Sequence, residues 1–228
     1  MTLIDLQGRR VLVTQADVFM GPALCRVLSS LGAEVVADTR DLATDAHAAE
    51  AMVADAGPVD VLLAHLAVPA PNTRVDDVVD DEWRRVFAHL VDPLPRLARA
   101  VVPAMRRRGH GKILVVGSAS ALRGMRRTST YSAARGAQLA WVQAVGVELA
   151  RERIQVNAIA QNFVDNPTYF PPSVQVDPAF QQRLQCEVPL GRLVSADEDA
   201  RFAAYLCSDA ADCFVGQVFP VSGGWAWR

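Results

Sequence analysis

Short runs of Val, Ile and Leu alternate with longer segments of helical spacing along the whole chain. The runs are Val11 to Thr14, Glu34 to Asp38, Val59 to Ala64, Lys112 to Gly117, Gln155 to Ala160 and Gln217 to Val221. Each is bounded by turn residues and nearly continuous in apolar side chains, the pattern of a strand buried on both faces. Between them Gly21 to Leu31, Asp45 to Ala56, Asp81 to Arg108, Thr130 to Arg153 and Ala196 to Cys207 carry helical spacing, which predicts five helices. Asp45, Asp80 and Ser195 are the expected N-caps. Strict alternation of strand and helix predicts an α/β fold with a doubly wound parallel sheet.

A Rossmann-like sheet of this kind fits a single domain over residues 1–228, because a core of this size has no need to split. The chain is 51% hydrophobic and 21% charged, an ordinary globular balance. Its net charge of -2 offers nucleic acid no electrostatic footprint. The basic clusters, Arg106 to Arg108 and Arg126 with Arg127, fall at predicted helix ends and loops, where solvation is expected. Cys25, Cys186, Cys207 and Cys213 show neither Cys-x-x-Cys spacing nor a His partner. They read as reduced packing residues, and no metal site is expected. The N-terminus has no apolar h-region, and the longest apolar stretch, around Val61 to Ala70, is too short for a bilayer. The expectation is a soluble, cytoplasmic protein with no membrane partner.

From Glu34 to Asp60 there is room for one strand and one helix, where a sheet of this class commonly fits a further helix and strand. An edge strand beyond Glu34 to Asp38 is therefore expected to be missing. In a nucleotide-binding sheet that region walls the adenosine pocket, so its loss argues against a bound dinucleotide. Asn166 to Pro178 holds Pro167, Pro171, Pro172 and Pro178 and reads as a long loop of the kind that often carries function.

Three residues fall where chemistry is expected. Ser118 ends a predicted strand, and residues past the carboxyl ends of parallel strands face the crevice where ligands bind. Tyr131 and Arg135 are four apart in a predicted helix, so they share one face a turn apart. A free phenol titrates near about 10, so a tyrosine acting as base needs its anion favoured. Arginine supplies a permanent cation for that purpose. The Ser118 hydroxyl can donate to a substrate oxygen while Tyr131 takes its proton.

The turn after the first run reads Thr14, Gln15, Ala16, Asp17, Val18, Phe19, Met20, Gly21, with glycine only at its end. A phosphate cradle needs glycine so that the backbone can approach the pyrophosphate, and Phe19 projects a ring into that space. Phosphate binding there is not expected, and Asp38 reads as a turn residue or relic rather than a ribose ligand. Phe19 serves either core packing or the lining of a different site. After the fifth run come Gln161, Asn162, Phe163 and Val164, then Tyr169 and Phe170. Amide donors, backbone N–H groups and aromatic edges together suit a small, weakly hydrated anion, and equally a loop packed on its own sheet.

These residues resemble the halohydrin dehalogenases, relatives of the short-chain dehydrogenases and reductases. One motif of that family, a Thr, four residues, Phe or Tyr, one residue and Gly, is met by Thr14, Phe19 and Gly21. A second, a Ser, twelve residues, Tyr, three residues and Arg, is met by Ser118, Tyr131 and Arg135. The shortened Glu34 to Asp60 interval and the Gly223, Gly224, Trp225 ending are similar to the B-type members. The resemblance implies a catalytic trio of Ser118, Tyr131 and Arg135 that works with no cofactor and no metal. Ser118 would bind the hydroxyl of a vicinal haloalcohol, Tyr131 would take its proton, and the alkoxide would displace the neighbouring halide to close an epoxide. In reverse, a small anion such as azide, cyanide or nitrite would open the epoxide. The resemblance also implies a halide site lined by Phe19, Gln161, Asn162, Phe163 and Val164 and closed by Tyr169 or Phe170. Ala64, His65 and Leu90 stand near the places where dehydrogenases of this type keep Asn, and His65 reads as core or pocket wall rather than as a base. The family forms homotetramers, with Asp81 to Arg108 and Thr130 to Arg153 expected at the interface. Trp225 and Trp227 are expected to be buried against this subunit or another.

Two other readings stay open. One is an NAD(P)-dependent short-chain reductase with an atypical nucleotide loop; Gln15, Phe19 and Arg135 in place of Lys weigh against it. The other is a catalytically silent scaffold, which would have no need of a tuned phenol.

Overall fold

The computed structural model describes residues 4–227. Its sheet has six parallel strands: β1 (Arg10–Val13), β2 (Glu34–Ala37), β3 (Val61–His65), β4 (Gly111–Ser118), β5 (Ile154–Gln161) and β6 (Val218–Val221). Their spatial order is β2-β1-β3-β4-β5-β6. Every residue of β3 and β4 is buried, which is why both read as unbroken apolar runs. Successive side chains point to opposite faces. Leu62, Ile113, Val115 and Val156 therefore join one apolar layer, while Val11, Leu63, Leu114, Val116 and Ile159 join the other. The first layer is covered by α2 (Ala48–Ala56), α3 (Asp80–Leu90), α4 (Pro93–Arg108) and α5 (Ser129–Leu149); the second by α1 (Gly21–Ser30) and α8 (Ala196–Cys207). Burial on this scale, at about 25 cal/mol per Å² of apolar surface, is the main force holding the layers together.

The α/β doubly wound class agrees with the expectation, and each predicted strand lies within two residues of an observed one. Among the described residues no strand pairs on the far side of β2, so the sheet ends there. Chain direction across the sheet reverses between β1 and β3, which opens a crevice at their carboxyl ends.

Several local expectations are corrected. The single helix expected from Asp81 to Arg108 is two, α3 and α4, because Pro93 cannot continue the first and instead opens the second. The helix expected to Arg153 ends at Leu149, a 3₁₀ turn covers Ala150–Glu152, and Arg153 sits at φ 58°. Ser195 caps α8 in a reciprocal capping box with Glu198. Asp45 and Asp80 are not N-caps: those positions are His47 and Val79, and Asp45 instead accepts from the His47 N–H at 2.8 Å. The proline-rich stretch contains a short helix, α6 (Pro172–Gln175), and leads into α7 (Pro178–Glu187), which the spacing did not predict. Cys186 and Cys213 are exposed, so they are not packing residues, whereas Cys207 is buried. Trp225 is buried against Phe163, with Arg123 over its ring at 4.7 Å, but Trp227 is 75% exposed in this chain.

Candidate active site

Four strand ends build the site. Thr14, just past β1, donates through Oγ1 to the His65 carbonyl of β3 at 2.8 Å and ties these two ends together. Gln15 follows at φ 46°, a conformation uncommon for a residue with a side chain. It places Oε1 to accept from the Ala67 N–H at 2.6 Å and its carbonyl 3.1 Å from His65 Nδ1. A carbonyl only accepts, so Nδ1 carries the proton. Burial pushes His65 down to about 4, and the Arg135 charge works in the same direction. The ring is neutral near pH 7 and lines the cavity. The turn closes with the Gly21 N–H donating to the Val18 carbonyl at 2.8 Å, and the Ala16 N–H donates to the Asp38 carbonyl at 3.0 Å. Space fixes Gly21, since a Cβ there would lie 2.5 Å from the Gln15 carbonyl oxygen. Phe19, at φ 47°, brings its ring to 5.4 Å from that of Tyr169.

Ser118 ends β4 and is 9% exposed. Its Oγ accepts from the Ser120 N–H at 3.2 Å and lies 3.0 Å from Ser120 Oγ. With Ser120 as the donor of that pair, Ser118 Oγ keeps its own proton for a substrate oxygen. Tyr131 lies in the first turn of α5 and is buried. Arg135, one turn later and 5% exposed, reaches the carbonyls of Leu66 (2.9 Å) and Val116 (3.0 Å) and the Gln138 Oε1 (2.9 Å), all through Nη1. Gln138 is held in turn by the Leu90 carbonyl at 2.6 Å. So anchored, the guanidinium carbon stands 5.0 Å from the centroid of the Tyr131 ring. This is a cation fixed over the face of the phenol in a water-poor site.

The fourth wall follows β5. Gln161 Nε2 donates to Asp199 Oδ2 of α8 at 2.5 Å. The Asn162 N–H donates to the Val221 carbonyl at 3.0 Å, and the Phe163 N–H to Asn162 Oδ1 at 2.9 Å. Phe163 is buried at φ 51°. The next N–H, that of Val164, has no acceptor among the described residues. Tyr169 leaves 39% of its surface exposed, yet its hydroxyl is turned inward, accepting from the Ala70 N–H at 3.0 Å and reaching the Val68 carbonyl at 3.4 Å. Burial of that end pushes Tyr169 up to about 12, helped by the nearby Tyr131. Phe170 packs on Phe163 and Phe180 rather than on Phe19.

Ser118, Tyr131 and Arg135, together with Phe19, Gln161, Asn162, Phe163, Val164 and Tyr169, all line one cavity of about 300 Å³. Its size suits a small molecule. Sequence reasoning missed Ser120, Met125, Thr128, Asn166 and Arg183, which line it as well. Ser120 carried a signal, the Ser-x-Ser spacing at a strand end that lets one hydroxyl hold the next residue's turn. Arg183 comes from the unpredicted α7 and lies over the Phe163 ring at 5.3 Å. Among the described residues no group of three or more His, Cys, Asp or Glu could hold a metal ion.

A parallel sheet of this order with a Ser, a Tyr and an Arg at its crevice defines an enzyme of the short-chain dehydrogenase and reductase superfamily. Within it, the chain belongs to the family described as Enoyl-(Acyl carrier protein) reductase, whose model matches residues 2–226. Among curated proteins it is 29% identical to a 3-oxoacyl-(acyl-carrier-protein) reductase of Pseudomonas aeruginosa, over 97% of this chain and 98% of that protein. Among solved structures it is similar to one titled "Dehalogenation enzyme", with TM-score 0.91 and 32% identity over 97% of this chain and 99% of the other. It is also similar to a halohydrin dehalogenase bound to ethyl (2S)-oxiran-2-ylacetate, with TM-score 0.88 and 26% identity over 96% of this chain and 98% of the other.

Reductases of this superfamily use a nicotinamide dinucleotide, and the residues here do not fit one. The turn after β1 spends its Ala16 and Gly21 N–H groups on the chain's own carbonyls, and Phe19 lines the cavity beside it. Asp38 is engaged by Arg40, through its N–H at 2.9 Å and its Nε at 3.2 Å. Arg135 stands where the superfamily uses lysine to hold ribose, and its Nη1 is taken up by carbonyls and Gln138.

Proposed function

We propose that this chain is a halohydrin dehalogenase: it converts a vicinal haloalcohol to an epoxide, a halide ion and a proton, and in reverse opens epoxides with small anions. One observation carries the reading. The Ser118, Tyr131 and Arg135 trio opens onto a cavity lined by aromatic rings, with Phe19 facing Tyr169, and not onto a phosphate cradle. Ser118 donates to the substrate hydroxyl oxygen and fixes its position. Tyr131 takes the hydroxyl proton, with the Arg135 guanidinium fixed over its ring. The alkoxide oxygen then attacks the neighbouring carbon from the side opposite the halogen. A C–O bond forms as the C–X bond breaks, and the halide leaves with the electron pair. The proton on Tyr131 later passes to solvent, so no electron is transferred to any acceptor. Gln161, Asn162, Phe163 and Val164 take the leaving halide, with the Val164 N–H as donor and the edges of Phe19 and Tyr169 closing the site. The similar dehalogenase structures support this reading.

The test is azide opening of a small terminal epoxide by protein freed of nucleotide, followed by loss of the epoxide. Wild type turns over, and Tyr131→Phe and Ser118→Ala each lose about 10²–10⁴-fold. Absence of ring opening across a panel of small epoxides, with no halide release from the matching haloalcohols, contradicts the proposal. The second reading, a reductase, is favoured by the similarity to the 3-oxoacyl reductase. A saturable NADPH titration would revive it.

A further inference from the structure

The buried carboxyl of Asp199 takes no part in the mechanism above. It is 0% exposed and sits on α8 within the apolar layer formed with Val194, Ala200 and Ala203. Its Oδ2 has a single partner, Gln161 Nε2 at 2.5 Å, and its Oδ1 has none among the described residues. Gln161 lines the catalytic cavity in the segment assigned to the anion. An ionised carboxylate one amide group behind that segment is costly twice over. It is a buried charge without a counter-ion, and it repels any anion in front of it.

Among the described residues the surrounding charged groups are paired or turned to solvent, Arg201 on α8 being exposed, and only burial and the Gln161 hydrogen bond act on Asp199. On α8 itself, Asp197 and Glu198 are exposed and held outward by Arg26 of α1 and Arg192, each at 2.8 Å. On α1 the other titratable group is Cys25, half-buried. Farther along α8, burial pushes Cys207 up to about 12. On β4, Lys112 pairs with Asp212. Arg135, Tyr131 and Arg183 line the cavity in front of Gln161, Arg183 over the Phe163 ring at 5.3 Å. A neutral acid removes both costs. Its O–H can donate to Gln161 Oε1, and a half-turn of the amide then presents the NH₂ to the cavity as a donor.

Resting on the dehalogenase reading, we propose that Asp199 is a positioning residue that works as a neutral acid. It orients the Gln161 amide toward the anion, so each small anion bound in the cavity is accompanied by a proton on Asp199. Burial, which raises Asp199 to about 7, places the proton's release within reach of an ordinary titration.

Sodium bromide titration of the whole protein in a pH-stat, from pH 6 to 9, tests this. In wild type the bromide dissociation constant rises about tenfold per pH unit above about pH 8, with nearly one proton taken up per bromide. Tyr131→Phe keeps that uptake, which separates it from the phenol. In Asp199→Asn the affinity is flat across the range and no proton is taken up; Asp199→Leu, which fills the apolar space, also loses the pH dependence. Bromide binding with flat affinity in wild type, or equal proton uptake in Asp199→Asn, overturns the proposal and leaves the dehalogenase reading standing. No bromide binding at any pH in a chain that releases no halide overturns both.

Discussion

Asp199 and His65 oppose each other on the pH axis. Asp199 is raised to about 7 from an unfolded value of about 3.9. The native chain therefore keeps a proton that the unfolded chain has released, and this contribution is full below about pH 4 and lost as pH rises through about 7. His65 is lowered to about 4 from about 6.5. Its contribution is full above about pH 6.5 and lost as pH falls through about 4. Between about pH 4 and 6.5 the two trends offset, so thermal melts of wild type should show a Tm that falls from about pH 6.5 to about 7.5 and is level above that. In Asp199→Asn that fall, about 2–3 °C, should vanish, leaving only the acid-side loss from His65. A wild-type curve parallel to that of Asp199→Asn would contradict this assignment. Ser118, Tyr131 and Arg135 were legible because spacing alone places them at a strand end and on one helix turn. Asp199 was not, because an acid in the first turn after Ser195 reads as a solvated partner of the helix dipole. Only the docking of α8 on the sheet decides that it faces inward.

The turn from β1 into α1 is the element whose geometry separates this cavity from a phosphate site. Gly21 there has no room for a side chain, with the Gln15 and Ala16 carbonyl oxygens at 2.5 and 2.6 Å from a Cβ. Gly21→Ala should destabilise the chain by about 1–3 kcal/mol in urea unfolding and displace the cavity wall. Phe19→Ala should leave the fold intact, open the site to water and weaken bromide binding several-fold. An unchanged bromide affinity would remove Phe19 from the anion site. The strands were legible in the sequence because burial on both faces writes an apolar run. The division of α3 from α4 was present in Pro93 but masked by continuous helical spacing. α7 carried its start signal, with Asp177 accepting from the Ala179 N–H and Pro178 in the first turn. The cluster of prolines before it read as loop, and with α7 went Arg183.

At the scale of the whole molecule, apolar surface remains unexplained by one chain. Trp227 is 75% exposed, Val147 on α5 is 73% exposed and Trp83 on α3 is 45% exposed. We propose that α3 and α5 form the interface of a homotetramer and that Trp227 reaches a neighbouring subunit. Light scattering should give four chain masses for wild type and a smaller species for Trp83→Glu with Val147→Glu; a wild-type monomer would refute the assembly. No helix of the described residues is long and apolar enough to cross a membrane. On the proposed reading this cavity exchanges a proton and a halide, with no hydride transferred. The most direct test is to incubate nucleotide-free protein with a vicinal bromoalcohol and count products. Bromide and epoxide should appear one to one, unaffected by added NADPH and absent with Tyr131→Phe. A carbonyl product that forms only with the oxidised nicotinamide, and no bromide, would contradict it.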